Sequence, residues 1–263
     1  MTILDEIFAY KQIEVERLKG IRPIRAMREM AETAPRPQDF IGALRCKSAG
    51  QRPALIAEIK RASPSHGQIN ARHNPIELAL IYQENGASAI SVLTDQRYFN
   101  GSLDDLKQVA GLPSHLPLLR KDFLFEPYQV YEARAAGADA VLLIAACLEA
   151  SQLCDLHSLA AALGMASLVE VHTAAEIEAV FRACRPSLVG INNRNLDDFT
   201  VDLGTTLRLR PLIPPNTCVV TESGIHTPAD VDCLASAGVD AILVGEALVA
   251  APDPTAKVRS LAQ

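Results

Sequence analysis

An α/β chain closed into a single (β/α)8 barrel, with an N-terminal helical extension, is predicted by three features of the sequence. These are a series of short, continuously apolar runs, the helical stretches between them, and the glycines that end several of those stretches. The runs are Ala54 to Ile59, Ala89 to Leu93, Leu116 to Leu119, Ala140 to Ala145, Ser167 to Val171, Leu188 to Ile191, Cys218 to Val220 and Ala241 to Val244. Each is too short for a typical helix and too uniformly apolar for a half-exposed strand, which is the pattern of strands covered on both faces. Between them, stretches such as Pro75 to Tyr82 and Tyr128 to Ala133 read as helices. Asn85-Gly86-Ala87, Ala136-Gly137-Ala138-Asp139 and Ala237-Gly238-Val239-Asp240 place glycine where a helix stops in a left-handed residue before the next strand. Strands alternating with helices pair in parallel through right-handed crossovers. An open doubly wound sheet is the alternative, but eight units in about 210 residues match a closed TIM barrel, which runs ~250 residues in total.

Ahead of the barrel, Ile3, Leu4, Ile7, Phe8, Val15 and Leu18 fall at helical spacing and form one apolar stripe. Arg22-Pro23 and Pro35-Arg36-Pro37 interrupt it, and Phe40, Ile41 and Leu44 predict a second short helix. No stretch has the character of a domain linker. Residues 1–263 therefore read as one domain, with 1–50 as the extension and 51–263 as the barrel.

Composition narrows the function classes. The 263 residues are 49% hydrophobic and 21% charged, too apolar for a disordered chain, and no apolar run approaches the ~20 residues of a membrane helix. A net charge of -6 without a Lys/Arg block leaves no nucleic-acid footprint. An anionic ligand must then be met by a local cationic cluster. Cys46, Cys147, Cys154, Cys184, Cys218 and Cys233 show neither a C-x-x-C pair nor zinc-site spacing. They read as buried thiols in a reduced compartment, and Thr2-Ile3-Leu4-Asp5-Glu6 lacks the basic start of a signal peptide, so a cytoplasmic location is expected.

In a barrel of this kind the chemistry sits at the C-terminal ends of the strands. The first ends Ala57-Glu58-Ile59-Lys60-Arg61-Ala62-Ser63, where Glu58 and Lys60, two apart, project to the same side. The third ends Leu119-Arg120-Lys121-Asp122-Phe123, and the fifth carries Glu170 inside an apolar run. For each alone, a structural ion pair is the competing explanation. Together, Glu58, Lys60, Lys121 and Glu170 make an acid–base set at equivalent positions. Asn192 and Arg194 end the sixth strand, offering an amide and a guanidinium fork suited to carboxylate or phosphate. Glu222-Ser223-Gly224 and Gly245-Glu246 follow the seventh and eighth runs, where glycines let backbone amides approach a phosphate. Ser63 adds a hydroxyl. The six histidines lack metal-site spacing and read as surface or loop residues, with only His66 near the proposed site.

These segments resemble the indole-3-glycerol-phosphate synthase family. Ile56-Ala57-Glu58-Ile59-Lys60-Arg61-Ala62-Ser63-Pro64-Ser65 is similar to its first-strand signature. The likeness continues through Ser91-Val92-Leu93-Thr94-Asp95, Phe99-Asn100-Gly101-Ser102, Leu119-Arg120-Lys121-Asp122-Phe123, Leu168-Val169-Glu170-Val171-His172, Gly190-Ile191-Asn192-Asn193-Arg194-Asn195-Leu196 and Glu222-Ser223-Gly224-Ile225. It covers nearly the whole chain, with the motifs in family order. His66 stands where many members have Lys, and Asp95 where Glu is frequent; both lie outside the acid–base set.

The resemblance implies a small substrate carrying carboxylate and phosphate, 1-(2-carboxyphenylamino)-1-deoxyribulose 5-phosphate, closed to indole-3-glycerol phosphate with loss of CO2 and water. It implies Lys121 as the acid that activates the ketone, Glu170 as the base for dehydration, and Lys60 as a second acid or as the holder of the substrate carboxylate. Glu58, Asn192 and Glu222 would orient the lysines and the sugar hydroxyls, with Ser223 close by. The phosphate would rest on Lys60, Ser63, Gly224, Gly245 and Glu246. Phe99, Phe123, Leu142, Ile144 and Leu196 would wall the aromatic ring, and Arg194 would position the substrate. No metal or organic cofactor is implied, and a monomer is expected. The rivals are a phosphoribosylanthranilate isomerase, which would place Cys at the end of the first strand, a Schiff-base aldolase using Lys60 or Lys121, and a non-catalytic phospholigand-binding barrel.

Overall fold

The computed structural model describes residues 3–45, 52–63, 67–68, 74–196 and 198–263. Eight parallel strands close a barrel in chain order: β1 (Ala54–Ile59), β2 (Ala89–Leu93), β3 (Leu118–Lys121), β4 (Ala140–Ile144), β5 (Ala166–Val171), β6 (Leu188–Asn192), β7 (Cys218–Glu222) and β8 (Ala241–Val244). The ring closes through β1 and β8, with Ala54 opposite Ala241. Ala62–Ser63 and Gly67–Gln68 form a small antiparallel pair beyond β1. The helices are α1 (Ile3–Ile21), α2 (Ile24–Thr33), α3 (Phe40–Arg45), α4 (Pro75–Glu84), α5 (Gln96–Phe99), α6 (Leu103–Ala110), α7 (Pro127–Ala135), α8 (Ala150–Ala162), α9 (Ala174–Ala183), α10 (Gly204–Leu209), α11 (Pro228–Ser236), α12 (Glu246–Val249) and α13 (Pro254–Ala262). Proline opens α4, α7, α11 and α13, where its fixed φ suits the first helical turn and its missing N–H costs nothing.

Every barrel strand serves two cores. Odd-numbered residues of β1 such as Leu55 and Ala57 pack outward with Ile90, Val92 and the helices. Ala54 and Ile56 point inward with Leu119, Leu142, Leu168, Val220 and Leu243. The same inward phase continues to Glu58, Lys121, Glu170, Asn192 and Glu222, so the barrel interior turns from apolar to charged toward the strand C-termini. This explains the strand ends that the apolar runs misplace. The third strand lies at Leu118–Lys121 rather than Leu116 to Leu119, the sixth reaches Asn192 and the seventh reaches Glu222. Strand pairing carries on where the interior side chains become polar. The recurring Asp before a strand ties that strand's neighbourhood together. Asp139 accepts the backbone N–H of Leu118 at 2.7 Å, and Asp240 that of Val219 at 2.8 Å, each joining one strand start to the next.

The extension touches both ends of the barrel. Phe40 and Leu44 of α3 join the inner core beside Ala54, Ala89 and Cys218, the first residues of β1, β2 and β7, and so plug the bottom. Residues 24–33, assigned no element between the two expected interruptions, form a helix that buries Met27 and Ala31, one turn apart, with Met27 packed against Val15 and Tyr128 of α7. At the other end α1 lies over the barrel mouth, where Phe8 meets the edge of Phe123 at 5.8 Å between ring centres. A buried cation fixes it there. Lys11, 3% exposed, pairs with Asp95 at 3.0 Å, Asp122 at 2.9 Å and Glu14 at 2.7 Å. Asp122 in turn accepts from Thr94 at 2.6 Å and pairs with Arg120 at 3.1 Å, while Arg120 reaches Glu132 at 2.9 Å.

Although burial opposes ionisation, Lys11 and Arg120 hold the Asp122 carboxyl down to about 2. A depressed carboxylate contributes stability above its unfolded value of about 4, lost as pH falls toward the folded value. Lys11→Met is therefore expected to lower the unfolding free energy by about 3–5 kcal/mol at neutral pH, by stranding buried carboxylates. The variant should also lose less between about pH 4 and pH 2 than the wild type does. Urea unfolding followed by circular dichroism measures both.

Candidate active site

A cavity of about 480 Å³ opens at the C-terminal ends of the strands. Its polar floor is built from neighbouring strands by register: Glu170 lies opposite Gly190, and Asn192 opposite Glu222. At its centre, Lys121 Nζ donates to Glu222 Oε2 at 2.7 Å and to Glu170 Oε2 at 3.4 Å. Lys60 Nζ lies 3.4 Å from Glu58 Oε1. Glu58, Glu170 and Glu222 are buried, whereas Lys60 and Lys121 keep partial exposure toward the cavity.

Burial alone would strip the proton from Lys121, but Glu222, Glu170 and Glu58 outweigh it and hold the ammonium above the ordinary lysine range. The two carboxylates beside it are driven apart. Burial raises Glu170, yet Lys121, His172 and Asn192 pull it below the usual carboxylate range. Glu222 is raised: burial, with Glu170 and Glu58 close by, prevails over Lys121. Like charges sharing one site separate in this way, giving one firm anion and one group ready to keep a proton.

All the predicted site residues except Ser63 line this cavity: Glu58, Lys60, Lys121, Glu170, Asn192 and Glu222 on the polar side, Phe99, Phe123, Leu142, Ile144 and Leu196 on the apolar side, and Arg194, Ser223, Gly224, Gly245 and Glu246 around the rim. The Ser63 backbone ends the first arm of the small antiparallel pair, but its side chain, like Ser65 and His66, lies outside the described residues. Ser223 adopts a left-handed φ of 68° and Gly224 one of 79°, so the chain turns sharply where β7 ends. A serine held there is strained, a feature concentrated at functional sites. Arg194 reaches Glu246 at 3.7 Å across the same rim. Among the described residues, no group of three His, Cys, Asp or Glu side chains is arranged to hold a metal ion.

Sequence reasoning missed the roof. Ile3, Leu4 and Ile7 of α1 line the cavity, and their helical stripe was legible without its destination. It also expected only His66 near the site, yet two other histidines lie there. His172, in the loop after β5, has a side chain 10% exposed that stands 3.3 Å from Glu170 Oε1. His226, though exposed, lines the cavity. The expectation of buried thiols holds for Cys218; Cys147, Cys154 and Cys184 are half-buried, and Cys233 is exposed.

The fold and site together define a barrel enzyme whose acids and bases project from strand ends into one cavity. Comparison with known proteins makes this specific. The family model described as indole-3-glycerol phosphate synthase matches residues 4–261. The chain is 51% identical over 252 residues to the indole-3-glycerol phosphate synthase of Polaromonas naphthalenivorans, covering 96% of this chain and 95% of that protein. It is 49% identical over 261 residues to that of Dehalococcoides mccartyi, covering 98% and 99%. The chain belongs to the indole-3-glycerol phosphate synthase family, carboxy-lyases of tryptophan biosynthesis. Among solved structures, a 3-hexulose-6-phosphate synthase superposes with a TM-score of 0.62 at 18% identity, covering 79% of this chain and 97% of that one. The tryptophan synthase complex of Pyrococcus furiosus gives 0.59 at 16% identity, covering 80% and 98%. These two share the fold.

Gly190 tests the geometry. A Cβ built there would stand 2.6 Å from Glu222 Oε1 and 3.2 Å from Leu168 Cδ1. Gly190→Ala is expected to push Glu222 off Lys121 and lower kcat about tenfold or more, while overpacking costs about 1–3 kcal/mol of stability. Steady-state kinetics and unfolding curves on one preparation measure the two effects.

Proposed function

We propose that the cavity closes 1-(2-carboxyphenylamino)-1-deoxyribulose 5-phosphate to indole-3-glycerol phosphate, with Lys121 as the acid of ring closure and Glu170 as the base of dehydration. The observation that carries the reading is the position of Lys121, held between Glu222 at 2.7 Å and Glu170 at 3.4 Å. As the ring carbon attacks the ketone, negative charge develops on the ketone oxygen. An ammonium that keeps its proton until then stabilises that oxygen and afterwards protonates it. Loss of CO2 restores the aromatic ring. The resulting carbinol must then lose water and a ring proton, and Glu170, kept ionised, is the side chain beside Lys121 suited to accept that proton.

Lys60, restrained by Glu58 at 3.4 Å, is the second cation at the mouth and serves the carboxylate of the substrate or the departing hydroxyl. Glu58 and Glu222 orient the lysines, and Asn192 supports Glu170. The phosphate rests on the turn at Gly224, the start of α12 at Gly245 and Glu246, and Ser63. Phe99, Phe123, Leu142, Ile144 and Leu196 receive the aromatic ring, with Arg194 and Ser223 at the sugar. The reaction needs no cofactor, since the substrate's own amine and ketone supply the electron flow.

The same reading describes a monomeric cytoplasmic enzyme that meets neither nucleic acid nor membrane, with residues 51–263 as the barrel and 1–50 as its extension in one working domain. In support, the net charge is -6, and among the described residues no helix is long and apolar enough to cross a membrane. Packing of α1 and α3 on opposite ends of one barrel supports the single domain.

Lys121→Ala is expected to lower kcat by at least about 10³-fold, the loss of an acid that also carries oxyanion stabilisation, while binding of a reduced, non-reacting substrate analogue stays within about tenfold. The chain contains no Trp, so indole fluorescence reports product against a protein with no indole of its own, and CO2 release provides the second readout. Turnover near the wild-type rate would overturn the assignment of Lys121.

A further inference from the structure

Beside Glu170, behind the cavity lining, stands a side chain that takes no direct part in the proposed reaction. We infer that His172 is a positioning residue for Glu170, an imidazolium mounted on the start of α9 that pins one carboxylate oxygen and leaves the other to exchange protons beside Lys121. This inference rests on the reading of Glu170 as the base.

The two oxygens of Glu170 face different cations. Oε1 is 3.3 Å from His172 Nε2, and Oε2 is 3.4 Å from Lys121 Nζ. Nε2 is buried and makes no well-angled hydrogen bond among the described residues, so its hold on Oε1 is electrostatic. The other ring nitrogen, Nδ1, is 3.4 Å from Glu176 Oε2. The same Glu176 oxygen accepts the backbone N–H of His172 at 2.7 Å. Thr173 locks Glu176 in place: its hydroxyl donates to Glu176 Oε1 at 3.1 Å and accepts the Glu176 N–H at 3.2 Å, a reciprocal cap at the first turn of α9. The chain of contacts therefore runs from a helix start, through a carboxylate and an imidazole, to the catalytic carboxylate.

The charges around the ring make it a cation. Glu170 and Glu176 face it directly. Lys121 stands behind Glu170. From the turn after β4, the Cys147 thiol feels the same two glutamates and Asp5 of α1, and burial with those charges pushes it up to about 12, so it stays neutral. Burial disfavours the imidazolium, but Glu170 and Glu176 outweigh it and push His172 up to about 10. A second cation at hydrogen-bonding distance lowers the basicity of Glu170 and keeps it ionised into the acid range.

The test compares His172→Gln, which keeps a donor but removes the charge, with Glu170→Gln across pH. In His172→Gln the acid limb of the kcat profile is expected to move up by about one pH unit, with kcat falling about tenfold below the limb, the loss closing as pH rises, and KM within about threefold. A purely structural role would depress kcat equally at every pH, and that result, or an unmoved limb, would overturn the inference. Glu170→Gln should lose at least about 100-fold in kcat at all pH values; wild-type turnover in it would sink the base reading and this inference with it. An inactive Glu170→Gln beside an unmoved limb in His172→Gln would sink this inference alone. The wild type supplies a measurement independent of variant folding: NMR titration of His172 should show a ring still protonated at pH 8, and a ring neutral at that pH would overturn the inference.

Discussion

Three carboxylates buried around one ammonium are the constraint on which this molecule turns. Glu58, Glu170 and Glu222 are withdrawn from water, and each would protonate or destabilise the fold if left without a partner. Lys121 alone cannot satisfy three anions. The remainder is met piecemeal: Lys60 beside Glu58, His172 and Asn192 beside Glu170, and a raised affinity for protons at Glu222. The unequal treatment of Glu170 and Glu222 is what gives the cluster chemical directionality, since equivalent carboxylates would titrate as a pair with no preferred donor.

That constraint reaches into the backbone. A Cβ at Gly190 would collide with Glu222, and one at Gly245 would collide with Glu58, so both carboxylates occupy space that glycines in β6 and just after β8 leave open. It also reaches into α1. The roof over the cavity is apolar, but it is Lys11, inserted between Asp95 and Asp122, that fixes where the roof lies. Asp122 is the residue after Lys121, so the clamp on the helix and the centre of the acid–base cluster share one strand end. A shift of α1 would disturb both the enclosure and the footing of Lys121.

The barrel was readable because strands covered on both faces leave continuous apolar runs and helices leave glycine stops. The charged residues of the cluster were readable for the opposite reason: Glu58, Lys60 and Glu170 break or end runs that apolar residues should continue. What escaped the sequence was decided by side-chain partners that periodicity does not show. Lys11 looks like a polar position on an amphipathic helix, and its burial depends on Asp95 and Asp122, more than 80 positions away. His172 is the loop residue expected, but periodicity cannot see that Glu170 and Glu176 flank its ring. Residues 24–33 lie between two proline-containing interruptions and were assigned no element, and their helix buries Met27 and Ala31.

The acidity of the cavity completes the electrostatic argument. Its lining holds five carboxylates, Glu58, Asp122, Glu170, Glu222 and Glu246, against the cations Lys60, Lys121 and Arg194. A substrate bearing both carboxylate and phosphate would meet repulsion if all these groups faced it equally. They do not. Asp122 is committed to Lys11 and Arg120, outside the cavity wall, and Glu58 and Glu170 each have a cation at contact distance. Glu222, raised by burial beside Glu170 and Glu58, opposes an entering anion less than an ordinary carboxylate would. The surplus of acid groups is therefore compatible with an anionic substrate because the protein has assigned most of them to partners before the substrate arrives.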